Sequence, residues 1–368
     1  MKLGVNLSYQ GAAELAVAAE RLGYDVALAP EGYRSDAASV LGLVAGRTER
    51  IALGSAVMQI PARSPALAAL TAATLQSLSG GRFRLGLGVS NPDVSEGWYG
   101  VPFAQPLART REYVEIVRRA LTGEPVRYEG RHYRLPSSGS GAAPLHVITE
   151  PAGAPVPVYL GAVGPGNLAL AGEIADGWIG VFAAPEQVAE SVAHIEAGRA
   201  RAGRPLAGFD VMPCLATAIG EDTDGCVDRL RAHYAYLMGI GAPERNFYIA
   251  LATRLGFGAQ AAEVGRLAGE GDRAGAAAAV PAGFVELTAL TGPVDRVAAR
   301  MRQYAEAGVT TLGIMISSMA GSTEVRLQGG GGSRCGASAT DDNAASVRAT
   351  PRRAGGTSRT RPRPPRLR

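Results

Sequence analysis

Cysteine is scarce in this chain: three in 368 residues, Cys214, Cys226 and Cys335. The number is odd and no pair has CxxC spacing, which argues against a disulfide framework and for a reducing, cytoplasmic setting. The four histidines, His132, His146, His194 and His233, lie far apart with no HxxxH or carboxylate spacing, so no metal site is expected. No run of ~20 uninterrupted apolar residues occurs, which argues against a membrane-spanning helix. The start, MKLGVNLSYQGAAELA, has no long apolar core of the signal-peptide kind. No Walker A sequence occurs, and the glycine spacings 161, 164, 166 and 86, 88 do not make the dinucleotide fingerprint GxGxxG. Gly88-Val89-Ser90-Asn91-Pro92 approaches the nucleophile elbow GxSxG, but proline stands where the last glycine belongs. With no nucleophile, metal or nucleotide fingerprint, a bound cofactor is the economical source of reactivity.

Charge is also thin, at 19% Asp, Glu, Lys and Arg, and its balance is uneven. The net +4 comes from residues 329–368, whose nine Arg and two Asp carry +7 and leave −3 for the first 328 residues. The basic excess therefore does not belong to the folded body, and no nucleic-acid partner is expected. That last segment, GGGGSRCGASATDD through TRPRPPRLR, cannot bury a core and reads as disordered, either a natural basic tail or a translated stretch foreign to the fold, as a frameshift would give.

What remains is 46% hydrophobic, ample for one large core, and it alternates. Strand-like runs at 3–7, 25–29, 51–58, 83–88, 156–160, 177–182, 209–218 and 310–316 are separated by helix-like runs at 12–22, 36–46, 65–78, 108–122, 165–175, 185–203 and 293–307. In the last helix Val294, Val297, Met301 and Tyr304 recur at the three- and four-residue steps of one buried face. Eight strands alternating with helices predict an α/β fold, a (β/α)8 TIM barrel spanning 1–328. Two connections are long: 123–155, with a hairpin at VRYEGRHYRL, and 219–290, with helices at 222–238 and an Ala/Gly-rich run near 259–280; both suit either lids over the active face or mere padding. STEVRLQ (322–328) starts like a closing helix.

In such a barrel the chemistry sits at the C-terminal strand ends. There the sequence changes character: PEGYRSD (30–36), LGSAVMQIPARSP (53–65), GVSNPDVSEGWYGVPF (88–103) and GAVGPGN (161–167) are rich in Gly, Pro, Ser, Asn and aromatics above apolar strands. That contrast predicts a pocket with an apolar wall and a polar rim. GAVGPGN lies between a strand and a helix start, where bare amides and the helix N-terminus favour an anion; an ordinary tight turn is the alternative.

LGSAVMQIPARSPALAALTAATLQSLSGGRFRLGLGVSNPDVSEGWYGVPF, PLARTREYVEIVRRAL and VPVYLGAVGPGNLALAGEIADGWIG together resemble the bacterial luciferase-like superfamily, in the branch of deazaflavin (coenzyme F420)-dependent oxidoreductases. The resemblance spans about 1–320 and implies a TIM barrel with insertions. It implies a non-prolyl cis peptide at the end of the third strand, at Ser55-Ala56, forming a bulge against the deazaflavin. It implies that Glu31 lies near the ring, with Tyr33 or Asp36 assisting. Val89, Ser90 and Asn91 would line the ring or ribityl chain, and Gly161, Ala162, Val163, Gly164 and Pro165 would hold the phosphodiester. Related sequences often carry a histidine after the strand-2 bend; Glu31-Gly32-Tyr33 has none. The resemblance thus implies hydride transfer at the deazaflavin C5 to or from a small or mid-sized organic substrate. Glu31 and Glu96 are the candidates for the proton, with Tyr99 third, and Trp98 is placed to stack on or gate the substrate. An FMN-dependent monooxygenase is the alternative on the same scaffold, and a non-catalytic barrel that binds no flavin is a second. A homodimer is the usual state of related barrels.

Overall fold

The computed structural model describes residues 1–149 and 153–316. Eight parallel strands form the barrel: β1 (Lys2–Asn6), β2 (Val26–Ala29), β3 (Ala52–Ser55), β4 (Phe83–Gly88), β5 (Val158–Gly161), β6 (Gly177–Val181), β7 (Asp210–Ile219) and β8 (Thr311–Ile316). Each pairs in parallel with the next. β8 returns to β1, with Lys2 opposite Thr311 and Val5 opposite Ile314, so no sheet edge is left among the barrel strands. The predicted (β/α)8 architecture is the observed one, and all eight strands fall within the predicted runs or a residue or two of them.

The helices between strands are α1 (Ala12–Arg21), α2 (Ala37–Ala45), α3 (Pro65–Leu78), α4 (Pro106–Ala120), α5 (Pro165–Ile174) and α6 (Pro185–Arg201). Four of the six open on a proline, where the missing N–H costs nothing and φ is already helical. Asp36 and Ser64 cap α2 and α3 by accepting from the amides of Ser39 and Leu67. Inside the barrel Val26, Leu28, Tyr159, Ile179, Met212 and Cys214 pack together. Burial pushes the Cys214 thiol up to about 12, opposed by a hydrogen bond with Asn6.

The two long connections have different structures. In the first, Tyr128–Glu129 and Arg134–Leu135 pair antiparallel, as VRYEGRHYRL predicts. The second folds into five helices: α7 (Thr223–Met238), α8 (Phe247–Arg254), α9 (Gly258–Gly269), α10 (Arg273–Ala279) and α11 (Ala282–Thr288). These build a core of their own around Tyr234, Val264 and Phe284. Asn246 closes the α7–α8 turn by donating to the carbonyls of Leu237, Met238 and Ile240 and accepting from the amides of Tyr248 and Ile249. In α12 (Val294–Glu306) Val297 and Tyr304 are buried, and the Tyr304 hydroxyl donates to Ala183 O at 2.7 Å. The predicted helix at 322–328 and the segment 329–368 lie outside the described residues. No described helix is long and apolar enough to cross a membrane.

Candidate active site

The C-terminal mouth of the barrel is organised by an interruption in β3. After Ser55 the ladder breaks, and pairing with β4 resumes at Met58–Gln59, opposite Leu87 and Gly88. The Ser55 hydroxyl spans the break: it donates to Gly86 O at 2.8 Å and accepts from Gly86 N at 2.9 Å. This is why a buried strand ends in serine: the side chain satisfies backbone groups that the ladder has left. The break contains a cis peptide at Ala56-Val57, one residue later than the expected Ser55-Ala56. The expectation is corrected by that residue because Ser55 still completes the β2 pairing, opposite Ala29.

The bulge explains the glycines of LGLG. A Cβ on Gly86 would collide with the Ser55 carbonyl oxygen, and one on Gly88 would lie 2.5 Å from Val57 Cγ2. Val57 also overlies Gly161, whose Cβ would meet its methyls at 3.4 and 3.5 Å. Ala56 and Val57 thus form an apolar shelf across β4 and β5, bare of side chains beneath it.

A polar network buttresses the shelf. Glu31 accepts from the amide of Gln59 at 2.9 Å, the amide of Ala37 at 3.2 Å and Arg63 Nη2 at 2.6 Å. Both side chains of the ion pair are largely buried, Glu31 4% and Arg63 11% exposed. Gln59 Nε2 donates to Glu31 O at 3.4 Å, while Gln59 Oε1 accepts from the Ser90 hydroxyl at 2.7 Å. Ser90 has φ 64°, a left-handed conformation uncommon outside glycine, which turns its hydroxyl to Gln59. Both carboxylate oxygens of Glu31 are therefore engaged in closing the bend. Asp36 is occupied as a helix cap, and those hydrogen bonds outweigh its burial and lower its pKa.

The segment after β4 forms one rim. Asn91 Oδ1 accepts from Val94 N, and Val89 lines the cavity behind the rim. Glu96 accepts from Arg245 at 2.5 Å and from Phe103 N at 3.0 Å; the Arg245 hydrogen bond, then the Phe103 amide, hold its carboxyl below the ordinary range. Trp98 is 65% exposed and meets Tyr33 edge-on at 5.7 Å. Glu31, Ser90 and Gln59 are thus brought into one network, whereas Glu96 and Trp98 belong to the outer rim.

The segment after β5 forms another side. The first bond of α5 runs from Leu168 N to Gly164 O, which leaves the amides of Gly166 and Asn167 without intrahelical partners. Nothing stands within 4 Å of a Cβ on Gly164, so the turn is open there. Asn167 Nδ2 donates to Gly161 O at 3.3 Å while its buried Oδ1 has no partner. Ala162 O accepts from the buried Trp178 indole at 2.9 Å, fixing the strand end behind Val163 and Pro165. An anionic group fits this turn, and a flat apolar group fits the shelf beside it.

Helices α7 and α8 and the turn between them, Pro243–Arg245, reach all these rims, contacts that the sequence reading missed. Arg34 lies over the Tyr236 ring at 5.5 Å, Arg245 approaches Asp93 at 3.7 Å, and Phe182 stacks on Tyr234 at 4.5 Å. Arg254 donates to Val163 O at 3.4 Å. His233 lies in α7; burial, with Arg34 nearby, pushes its pKa down to about 4. Phe182 had a signal, as the residue just after β6; His233 and Arg245 had none, being placed by tertiary packing alone. No His/Cys/Asp/Glu cluster suited to a metal is present among the described residues.

A Mycobacterium tuberculosis protein provisionally named a coenzyme F420-dependent oxidoreductase is 40% identical over 326 residues, covering 85% of this chain and 94% of its own. A 5,10-methylenetetrahydromethanopterin reductase of Archaeoglobus fulgidus is 30% identical over 298 residues, covering 79% and 85%. Among solved structures, the coenzyme F420-dependent tetrahydromethanopterin reductase of Methanopyrus kandleri superposes with a TM-score of 0.78 at 27% identity, over 90% of this chain and 97% of that one. Residues 2–311 match the luciferase-like monooxygenase family. The chain belongs to that family.

Proposed function

We propose that the protein is a coenzyme F420-dependent oxidoreductase that moves a hydride between the deazaflavin and a small or mid-sized organic substrate. The observation that carries this is the likeness to the mycobacterial protein, 40% identical over 85% of this chain and named for that coenzyme. When bound, the coenzyme supplies two-electron chemistry at C5; the residues of the mouth supply the rest. Ala56 and Val57 support one ring face, and Val89, Ser90 and Asn91 border it. Gly161, Ala162, Val163, Gly164 and Pro165, with the free amides of Gly166 and Asn167, hold the phosphodiester. Helices α7 and α8 exclude water.

Glu31 serves as a positioning residue in this reading, since its oxygens are spent on Gln59, Ala37 and Arg63. Glu96 is engaged in the same way, by Arg245 and the Phe103 amide, and, held ionised on the outer rim, is not suited to donate a proton. Trp98, exposed against Tyr33, gates the substrate. We also propose that the protein works in the cytoplasm and as a homodimer; light scattering tests the dimer.

The experiment uses the two tryptophans. Trp178 is buried behind the β5 turn and Trp98 stands on the rim. In Trp98→Phe protein the remaining indole reports on the mouth alone. Saturable quenching by F420 and none by FMN supports the proposal. The reverse favours an FMN-dependent monooxygenase, monooxygenase being the activity the family is named for. No quenching by either supports the non-catalytic barrel.

A further inference from the structure

The exposed Trp, Tyr and Phe side chains among the described residues are Tyr9, Tyr33, Trp98 and Tyr236. All of them stand at the C-terminal mouth. Tyr9 follows β1, Tyr33 follows β2, Trp98 lies on the β4 rim, and Tyr236 reaches Arg34 from α7. The described helices around the barrel and its opposite end expose none. Single exposed aromatics are ordinary, but a cluster confined to one opening marks a binding surface. Trp98 is 65% exposed, Tyr33 49% and Tyr236 42%, so a ligand can reach each ring. Trp98 and Tyr33 meet with their rings perpendicular, centroids 5.7 Å apart. Such a pair spends one ring face on itself, and a guest can stack on those left. Partial burial raises the Tyr33 pKa, and Tyr236, Tyr99 and Asp93 add to it, which sets both tyrosines within electrostatic reach of the Tyr33 hydroxyl. Burial, then the Glu31 carboxylate, raise the Tyr99 pKa, so the cluster continues inward to the network that buttresses the shelf.

The cluster also holds an unmatched charge. Arg34 is exposed over the Tyr236 ring at 5.5 Å and, unlike Arg63 and Arg245, is in no ion pair among the described residues. The acids around it are engaged elsewhere. Asp93 takes Arg245 and the Ala242 amide, Glu96 takes Arg245 and the Phe103 amide, Glu31 takes Arg63, and Asp36 caps α2. The Arg34 guanidinium therefore keeps N–H donors for a carboxylate from outside. We propose that the substrate is a planar aromatic carboxylic acid, its ring packed against Trp98 and Tyr33 and its carboxylate held by Arg34. The inference rests on the function proposed above and names the substrate class for that site.

The test is calorimetric titration of 2-naphthoate, the uncharged 2-naphthamide and the puckered decalin-2-carboxylate into wild type, Arg34→Met and Trp98→Ala, each with and without saturating F420. Wild type should prefer naphthoate to the amide by about 10-fold or more, the scale of one charge-assisted hydrogen bond. It should prefer naphthoate to the decalin by about 3- to 10-fold, the scale of an aromatic pair. Arg34→Met should lose most of the first preference and keep the second. Trp98→Ala should do the reverse, and added salt should erode only the first. Both side chains are exposed, so the variants should melt with wild type. Wild type with neither preference, or preferences that survive both substitutions, overturns the substrate class. So does naphthoate binding that F420 abolishes, which puts the ring on the shelf. Saturable F420 binding with no naphthoate binding overturns the substrate class and leaves the proposed function standing. Naphthoate binding with both preferences but no F420 binding overturns the proposed function and leaves the aromatic-acid site standing.

Discussion

Replacing Glu31 by glutamine separates two roles that the sequence left together. As a proton carrier, Glu31 should lose activity and little else on this change. As the buttress of the bend, it should lose stability first. The substitution removes one charge from an ion pair whose side chains are 4% and 11% exposed, and it turns an amide group toward the Arg63 guanidinium or the Ala37 N–H. Breaking one side of a buried pair costs about 3–5 kcal/mol. Arg63 keeps some access to water, so the lower end, about 3 kcal/mol, is expected here. That is about two decades in the folding equilibrium. Urea unfolding followed by tryptophan fluorescence reads it. Glu31→Gln/Arg63→Met, which removes both charges, should recover most of the loss. A Glu31→Gln protein as stable as wild type, or a double variant no better than the single, would refute the buttress.

Three further outcomes follow from the same packing. Ser55→Ala leaves the Gly86 amide and carbonyl without their buried partner and should cost about 1–3 kcal/mol in urea unfolding; a neutral change would show that the hydroxyl does not span the break. Burial alone would raise the Asp176 pKa, but the Val158 amide, Arg118 and Arg204 outweigh it and hold it below the usual carboxylate value. A lowered pKa gives stability that is full above the unfolded value and lost as pH falls through the folded one. Asp176→Asn should therefore be less stable at pH 7, with the gap to wild type closing only in acid below the ordinary carboxylate range; a gap independent of pH would contradict it. In Cys335→Ser protein the buried Cys214 and Cys226 should react with Ellman's reagent only after denaturation, and rapid labelling of the native protein would refute their burial.

The strands and helices were legible because each buries one face or both, and burial writes itself into the spacing of apolar residues. Strand-end glycines and polar residues were legible as a mouth for the same reason: they break that spacing. The exact cis bond was not. Ser55, Ala56 and Val57 are all small, and only the β2 and β4 hydrogen bonds decide which peptide falls in the gap. Nor was the engagement of Glu31, since its partner Arg63 stands 32 residues on and arginine spacing carries no such information. The roof formed by α7, α8 and the turn between them was illegible because its contacts with Asp93, Glu96 and Phe182 are between single side chains far apart in sequence.

The central claim is that the shelf and the β5 turn hold the deazaflavin together. A crystal structure of the protein with F420 tests it most directly. The ring should lie against Ala56 and Val57, with the phosphodiester on the amides of Gly166 and Asn167. A coenzyme bound elsewhere, or a ring on that shelf with its phosphate away from the turn, would contradict it.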